Sequence, residues 1–103
     1  HITGGGLSNL LRLHDHLGWH IDAPMPVPPE FIWLQNAGNV TDLEMHRTFN
    51  MGLGMVLAVE QNQAVPILSY IKQFEPEATI IGTVHDKGRK VTHSNPDVFY
   101  EHY

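Results

Sequence analysis

Leu53-Gly54-Met55-Val56-Leu57-Ala58-Val59 is the stretch that decides the fold class. It is nearly continuously apolar and does not alternate, the pattern of a strand covered on both faces of a sheet. Downstream, Ala64, Ile67, Leu68, Ile71 and Phe74 recur at helical spacing, and Pro66 is tolerable in a first turn. Ala78 to His85, rich in Ile, Thr and Val, reads as a second strand. Lys87-Gly88 then offers a turn, with Arg89 to His93 as the expected hairpin partner. Strand, helix, strand, strand in this order predicts an α+β fold, a mixed β-sheet with helices packed on it.

Upstream of the deciding run the elements are shorter. Gly4 to Gly6 leads into Leu7, Leu10, Leu11 and Leu13, a short helix expected to have Ser8 or Asn9 near its cap. Gly18 to Asp22 reads as a short strand. Ala23 to Pro29 carries four prolines and is expected to be a rigid extended crossing, not a domain boundary. Pro29 to Ala37 is a predicted helix leaving at Gly38-Asn39. Thr41-Asp42-Leu43-Glu44 fits a capping box for another helix through about Arg47. Trp19, Trp33 and the apolar stripe of residues 64–74 are expected in the core. Pro96 to Tyr103 reads as a tail docked on the surface.

Composition narrows the functional classes. A chain of 103 residues allows one domain and can bury roughly two-thirds of its unfolded surface. Cysteine is absent, which removes disulfides, Cys-based zinc sites and thiol nucleophiles. The net charge is −5, and the densest basic group is Lys87, Arg89 and Lys90, so nucleic acid is not the expected partner. No apolar run approaches a membrane span. The chain opens at His1, inside what looks like a functional loop, and is therefore expected to be a piece of something longer.

Two segments carry candidate chemistry. Gly4-Gly5-Gly6, between an apolar entry and a helix start, suits positive φ and close approach of backbone N–H groups to an anion. The same glycines also suit a tight turn with no ligand, and they match neither a dinucleotide fingerprint nor a Walker loop. A serine hydrolase is improbable, since Ser8, Ser69 and Ser94 lack flanking glycines. Arg47-Thr48-Phe49-Asn50-Met51-Gly52-Leu53-Gly54 puts an Arg and an Asn at the mouth of the apolar run. Arg47 suits a phosphate or carboxylate clamp there, or equally a charge at a helix C-terminus, with Asn50 a turn former. Of the eight histidines, His14, His16 and His20 invite a metal reading, but their spacing matches no metal motif and solvated surface positions are expected. Asp42 and Glu44 are explained by a helix dipole without catalysis.

Taken in order, His1-Ile2-Thr3-Gly4-Gly5-Gly6, Asn9-x-x-Arg12, Pro28-Pro29-x-Phe31-x-Trp33-Leu34-Gln35-x-Ala37-Gly38-Asn39-Val40 and Glu44-Met45-x-Arg47-Thr48-Phe49-Asn50-Met51-Gly52-x-Gly54-Met55 resemble phosphoribosylformylglycinamidine cyclo-ligase, the aminoimidazole ribonucleotide synthetase. The resemblance runs to about Val91 and includes the Ile81-Gly82 strand. The segment after the glycines is about one residue shorter than in many relatives, which carry a Glu before the position of Asn9. By this resemblance residues 1–103 are the second half of the family's C-terminal domain, with the N-terminal ATP- and magnesium-binding domain and the first half of the C-terminal domain absent.

The resemblance implies purine biosynthesis: ATP-dependent closure of formylglycinamidine ribonucleotide to aminoimidazole ribonucleotide, with release of ADP and phosphate. Thr3, Gly4, Gly5, Gly6, Asn9, Arg12, Arg47, Asn50 and Gly52 would bind phosphate or substrate, and His1 would be the candidate general acid/base. ATP and Mg would be held mainly by the absent domain, with no cofactor on this chain alone and metal ligands on the missing part. Implied partners are the phosphoribosyl substrate, ATP and the upstream portion of the same enzyme, in a cytoplasmic homo-oligomer, with no nucleic acid and no membrane. The chain alone is expected to be inactive. The alternatives are a non-catalytic phosphate- or nucleotide-binding module and another member of the same ATP-using superfamily, such as a selenophosphate or thiamine-phosphate kinase relative. A missing half-domain should also leave an apolar sheet edge or face exposed.

Overall fold

The computed structural model describes all residues from His1 to Tyr103. A 3-10 helix, Gly6–Arg12, is followed by strand β1 (Gly18–Ile21) and helices α1 (Pro29–Gly38) and α2 (Asp42–Thr48). Helix α3 (Ala64–Ile71) comes next, after a short 3-10 turn, and strands β2 (Gly82–His85), β3 (Val91–His93) and β4 (Phe99–Tyr100) complete the chain. The strands form one mixed sheet in the order β2-β1-β3-β4, so the expected α+β architecture holds.

Local chemistry explains the helix limits. Pro29 opens α1 at a position whose N–H has no partner in any helix, and Asn39 closes it in the left-handed region at φ 52°. Thr41 caps α2 by accepting the Glu44 N–H. The Glu44 carboxylate accepts from the Thr48 hydroxyl instead of reaching back, so only half of the expected box forms. The opening helix is capped by Gly5, not by Ser8 or Asn9, which both lie inside it.

The core sits between the sheet and the opening 3-10 helix. Trp19 and Ile21 alternate onto one face of β1, with Val91 beside Trp19 in parallel register and Tyr100 beyond it in antiparallel register. Leu7, Leu10 and Leu11 cover that face, and Val98 seals its outer end. Two expectations are corrected here. Residues after Gly88 do not return as a hairpin on β2; β3 crosses over to pair parallel to β1, because β1 offers the buried face Val91 needs. A Cβ on Gly18 would stand 2.4 Å from the Gly88 carbonyl oxygen, so glycine is required where the crossing passes β1. Second, Phe99–Tyr100 is an edge strand, not merely a docked tail.

The deciding run itself departs most from expectation. Leu53 to Val59 lies outside the sheet, and its link to the opening segment is one bond from the Ile2 N–H to the Gly54 carbonyl. Leu53 and Val56 touch the core while Met55 and Leu57 are more than half exposed. The stripe on α3 buries nothing, and Trp33 is 68% exposed, so neither belongs to the core. A pattern suited to two-sided burial needs strands on both sides, and none of the four strands supplies them. The accessible surface is 6963 Å², against roughly 5,800 Å² for a compact chain of this mass. That difference coincides with apolar side chains on residues 55–84: Met55, Leu57, Val65, Tyr70, Phe74 and Ile80.

This division of the molecule is testable. Leu10→Ala should cost about 2–5 kcal/mol by opening a cavity in the core, while Trp33→Ala should stay within about 0.5 kcal/mol despite removing a larger side chain. Urea unfolding of the two variants measures both. A larger loss from Trp33→Ala would place the core elsewhere.

Candidate functional site

The glycine loop is built from inside by two buried residues. Asn9 donates through Nδ2 to the carbonyls of Gly6 at 2.8 Å, Gly4 at 3.1 Å and Thr3 at 3.3 Å. The Ser8 hydroxyl donates to the Gly5 carbonyl at 2.6 Å. These bonds draw the loop carbonyls inward, and Gly5 takes φ 98° to follow. The N–H groups of Gly4 and Gly5 donate to no backbone group of the chain, in a loop where His1, Thr3 and Gly4 are exposed and Gly5 is half-buried. Such a rim of free amides is what a phosphate or another anion requires.

The two segments singled out by sequence meet. Gly6, at φ 51°, is pressed so close to α2 that a Cβ would stand 1.9 Å from the His46 carbonyl oxygen and 2.8 Å from that of Phe49. The Ile2–Gly54 hydrogen bond, 2.9 Å, ties the entry of the loop to the far end of the Arg47–Gly54 segment. Arg47 stands exposed on the last turn of α2. Asn50 accepts the Gly52 N–H on Oδ1 at 2.8 Å, forming a turn in which Met51 and Gly52 both have positive φ. Gly52 passes against Pro28, where a Cβ would lie 2.5 Å from the proline Cδ.

Arg12 packs on Tyr103. Its guanidinium lies 4.9 Å from the Tyr103 ring centre, and the same ring rests against Gly5. Tyr103 is thus a neighbour of the loop that no sequence pattern indicated. His14 accepts the N–H groups of His16 and Leu17 on Nδ1, a local turn. Nowhere do three or more His, Asp or Glu side chains converge as a metal would require.

A second polar cluster, which sequence reasoning assigned to helix dipoles and surface, joins α1, α2 and β3. The Asp42 carboxylate accepts from Gln35 Nε2 at 2.7 Å and from Asn95 Nδ2 at 3.0 Å. These bonds, with the nearby His46, hold its carboxyl below the usual value although burial opposes them. His46 and His93 meet edge to face at 5.2 Å between ring centres. Burial first, then His46 and His20, lowers the His93 pKa. The Tyr100 hydroxyl donates to the Leu43 carbonyl, and burial pushes its pKa up to about 12. One missed signal was in the sequence: Asp42 and His46 stand four apart on one helix face.

This cluster fixes a pH dependence. His93 binds a proton less readily folded than unfolded, so its contribution to stability is complete above the unfolded value near 6.5 and disappears as pH falls below it. The urea midpoint should drop between about pH 7.5 and pH 5.5, and His93→Asn should flatten that slope. An unchanged slope in the variant would remove His93 from the seam.

Comparison with known proteins follows the same residues. Residues 1–94 match the family described as AIR synthase related protein, C-terminal domain. The chain is 41% identical over 93 residues to the phosphoribosylformylglycinamidine cyclo-ligase of Methanopyrus kandleri, covering 90% of this chain and 27% of that protein. It is 47% identical over 88 residues to the enzyme of that name from Geobacter sulfurreducens, covering 82% and 25%. Against the Homo sapiens trifunctional purine biosynthetic protein adenosine-3 it is 47% identical over 87 residues, 82% of this chain and 9% of that protein. The chain therefore spans about a quarter of the length of the cyclo-ligases it matches. With the glycine loop, the Arg47–Gly54 turn and the sheet through Ser94 all inside the match, the chain belongs to the AIR synthase related protein, C-terminal domain family.

Proposed function

We propose that the chain forms one wall of the substrate cleft of an ATP-dependent cyclo-ligase that converts formylglycinamidine ribonucleotide to aminoimidazole ribonucleotide. The observation that carries this reading is the docking of the glycine loop onto the Arg47–Gly54 segment, which joins the two segments whose residues suit anion binding. In the reaction the formyl amide oxygen takes the γ-phosphoryl group of ATP, releasing ADP. The amidine nitrogen attacks the activated carbon, the C–O bond breaks, and phosphate leaves as the ring closes. Catalysis of this kind rests on positioning and on stabilising phosphoryl charge.

Within that scheme the Gly4 and Gly5 amides and Arg47 hold phosphate, Asn9 and Gly6 shape the loop, and Asn50 and Gly52 set the turn behind it. Thr3 and Arg12 flank the loop, and His1 is the candidate imidazole for moving a proton. ATP and Mg are held mainly by the upstream portion of the enzyme. The same upstream portion covers the exposed apolar surface of residues 55–84 and pairs with the Leu53–Val59 backbone. The whole enzyme is a cytoplasmic homo-oligomer in this reading; no helix here is long and apolar enough to cross a membrane. A second reading, a phosphate-binding module without catalysis, is favoured by the same free amides.

The test mixes this chain with the upstream portion of a relative and follows ATP-dependent turnover of formylglycinamidine ribonucleotide. Turnover is expected only in the mixture, with Arg47→Ala lowering it about tenfold or more without loosening the pairing. Turnover by the chain alone, or pairing without turnover, would overturn the cyclo-ligase reading. If inorganic phosphate still bound the unpaired chain and Gly5→Asp abolished that binding, the second reading would stand in its place.

A further inference from the structure

A cavity of 290 Å³ lies between α1, α2 and the end of β3, beside the glycine loop and sharing Asn50 with the Arg47–Gly54 turn. Gln35, Asp42, Asn50 and Asn95 supply part of its polar wall, and His46 and His93 the rest; Met25, Val27, Ile32 and Leu53 supply apolar surface. The hydrogen bonds around the two rings define which nitrogen is free in each. The Asn95 N–H donates to His93 Nδ1 at 2.9 Å, so Nδ1 carries the lone pair and the neutral ring has its proton on Nε2. His46 Nδ1 lies 2.8 Å from the Asp42 carbonyl oxygen, which can only accept, so Nδ1 carries the proton and Nε2 the lone pair. The two rings that line the cavity therefore carry one imidazole donor and one imidazole acceptor.

The other polar groups are largely occupied. Gln35 gives its amide protons to Val40 and Asp42, and both Asp42 oxygens are taken, by Gln35 and Asn95. A cation is disfavoured, because ligation through His93 Nε2 would need the tautomer that sets Nδ1–H against the Asn95 N–H. The titratable neighbours of His93 are His20 on β1 and His46 and Asp42 on α2, while α1 adds the uncharged Gln35.

We infer that this cavity binds a neutral planar heterocycle through a lactam edge, its carbonyl accepting from His93 Nε2–H and its N–H donating to His46 Nε2. An adjacent N–H and C=O on a flat ring match the donor and acceptor, and the apolar side chains cover the faces of the ring. Neither ring was assigned to phosphate or to ring closure, so the site stands whether or not the cyclo-ligase reading does. Binding needs His93 neutral, because a proton on its Nδ1 breaks the Asn95 bond.

Uracil is the probe, titrated into the full chain while the imidazole C–H signals are followed by NMR. His46 and His93 should shift saturably at millimolar uracil, with His1 and His102 unmoved. 1,3-Dimethyluracil, which keeps the ring but lacks N–H, should bind about tenfold more weakly or less. Affinity should also fall from about pH 7.5 to about pH 5.5. His46→Phe should weaken uracil similarly; if that variant does not fold, the methylated probe decides alone. Equal binding of the two probes, no saturable shift, or saturation of both histidines by Zn²⁺ alone would overturn the proposal.

Discussion

The fold leans on the packing of one weak helix against a narrow sheet. Gly6–Arg12 is a seven-residue 3-10 helix, longer than such helices usually persist unaided. It holds because Leu7, Leu10 and Leu11 are buried on the face that Trp19, Ile21 and Val91 present. Its far end is secured by Arg89, which donates to the Leu11 carbonyl through Nη2 at 2.6 Å and Nε at 3.2 Å, and to His14. Arg89 looked like part of a basic patch, yet its guanidinium satisfies the Leu11 carbonyl at the helix end and the His14 carbonyl just beyond it. The crossover from β2 to β3 delivers it there, so sheet topology and helix stability are one constraint.

That constraint also positions the candidate site. Fixing the 3-10 helix fixes Gly6 against the carbonyls of α2, and only a residue without Cβ tolerates the contact. The glycine loop is consequently held at both ends, by Asn9 from within and by Gly54 through Ile2. Three adjacent glycines lose order cheaply when unsupported; here each loop carbonyl from Thr3 to Gly6 has a donor. An anion would meet amides already oriented, which is where such a cradle gains over a flexible turn.

What was legible in the sequence follows a physical division. Helices α1 and α2 were readable because their ends are set by neighbours in the chain: Pro29, Asn39 and Thr41 act locally. The meeting of the glycine loop with the Arg47–Gly54 segment was not legible, since no periodicity records a contact some forty residues apart in sequence; the family resemblance assigned both to phosphate or substrate without stating that they touch. The position of β3 was not legible: Lys87-Gly88 is a sound turn, and only the vacancy beside Trp19 decides that Val91 goes there instead of beside Val84. The cluster of Gln35, Asp42, His46, His93 and Asn95 was missed for a similar reason. Each residue has an ordinary local explanation, and its role arises only when α2 and β3 come together.

The error at Leu53–Val59 is of another kind, because the pattern was read correctly and the surroundings were not. Hydropathy reports the environment a segment is suited to, and this segment suits strands on both sides. In the present fold it receives one bond from Ile2 to Gly54, one turn bond from Leu53 to Asn50, and partial cover of Leu53 and Val56. Helix α3 repeats the discrepancy, apolar along one stripe yet without a buried residue. A long exposed apolar edge is a liability that folded proteins normally blunt with charge, proline or a covering element, and none of these lies between Leu53 and Val59. The cyclo-ligase reading accounts for both at once: the surface that would bring copies of this chain together unproductively is the surface the upstream portion would cover. Stability and completion of the cleft would then depend on the same contact, so the wall carrying the glycine loop would be most secure when the rest of the enzyme is in place.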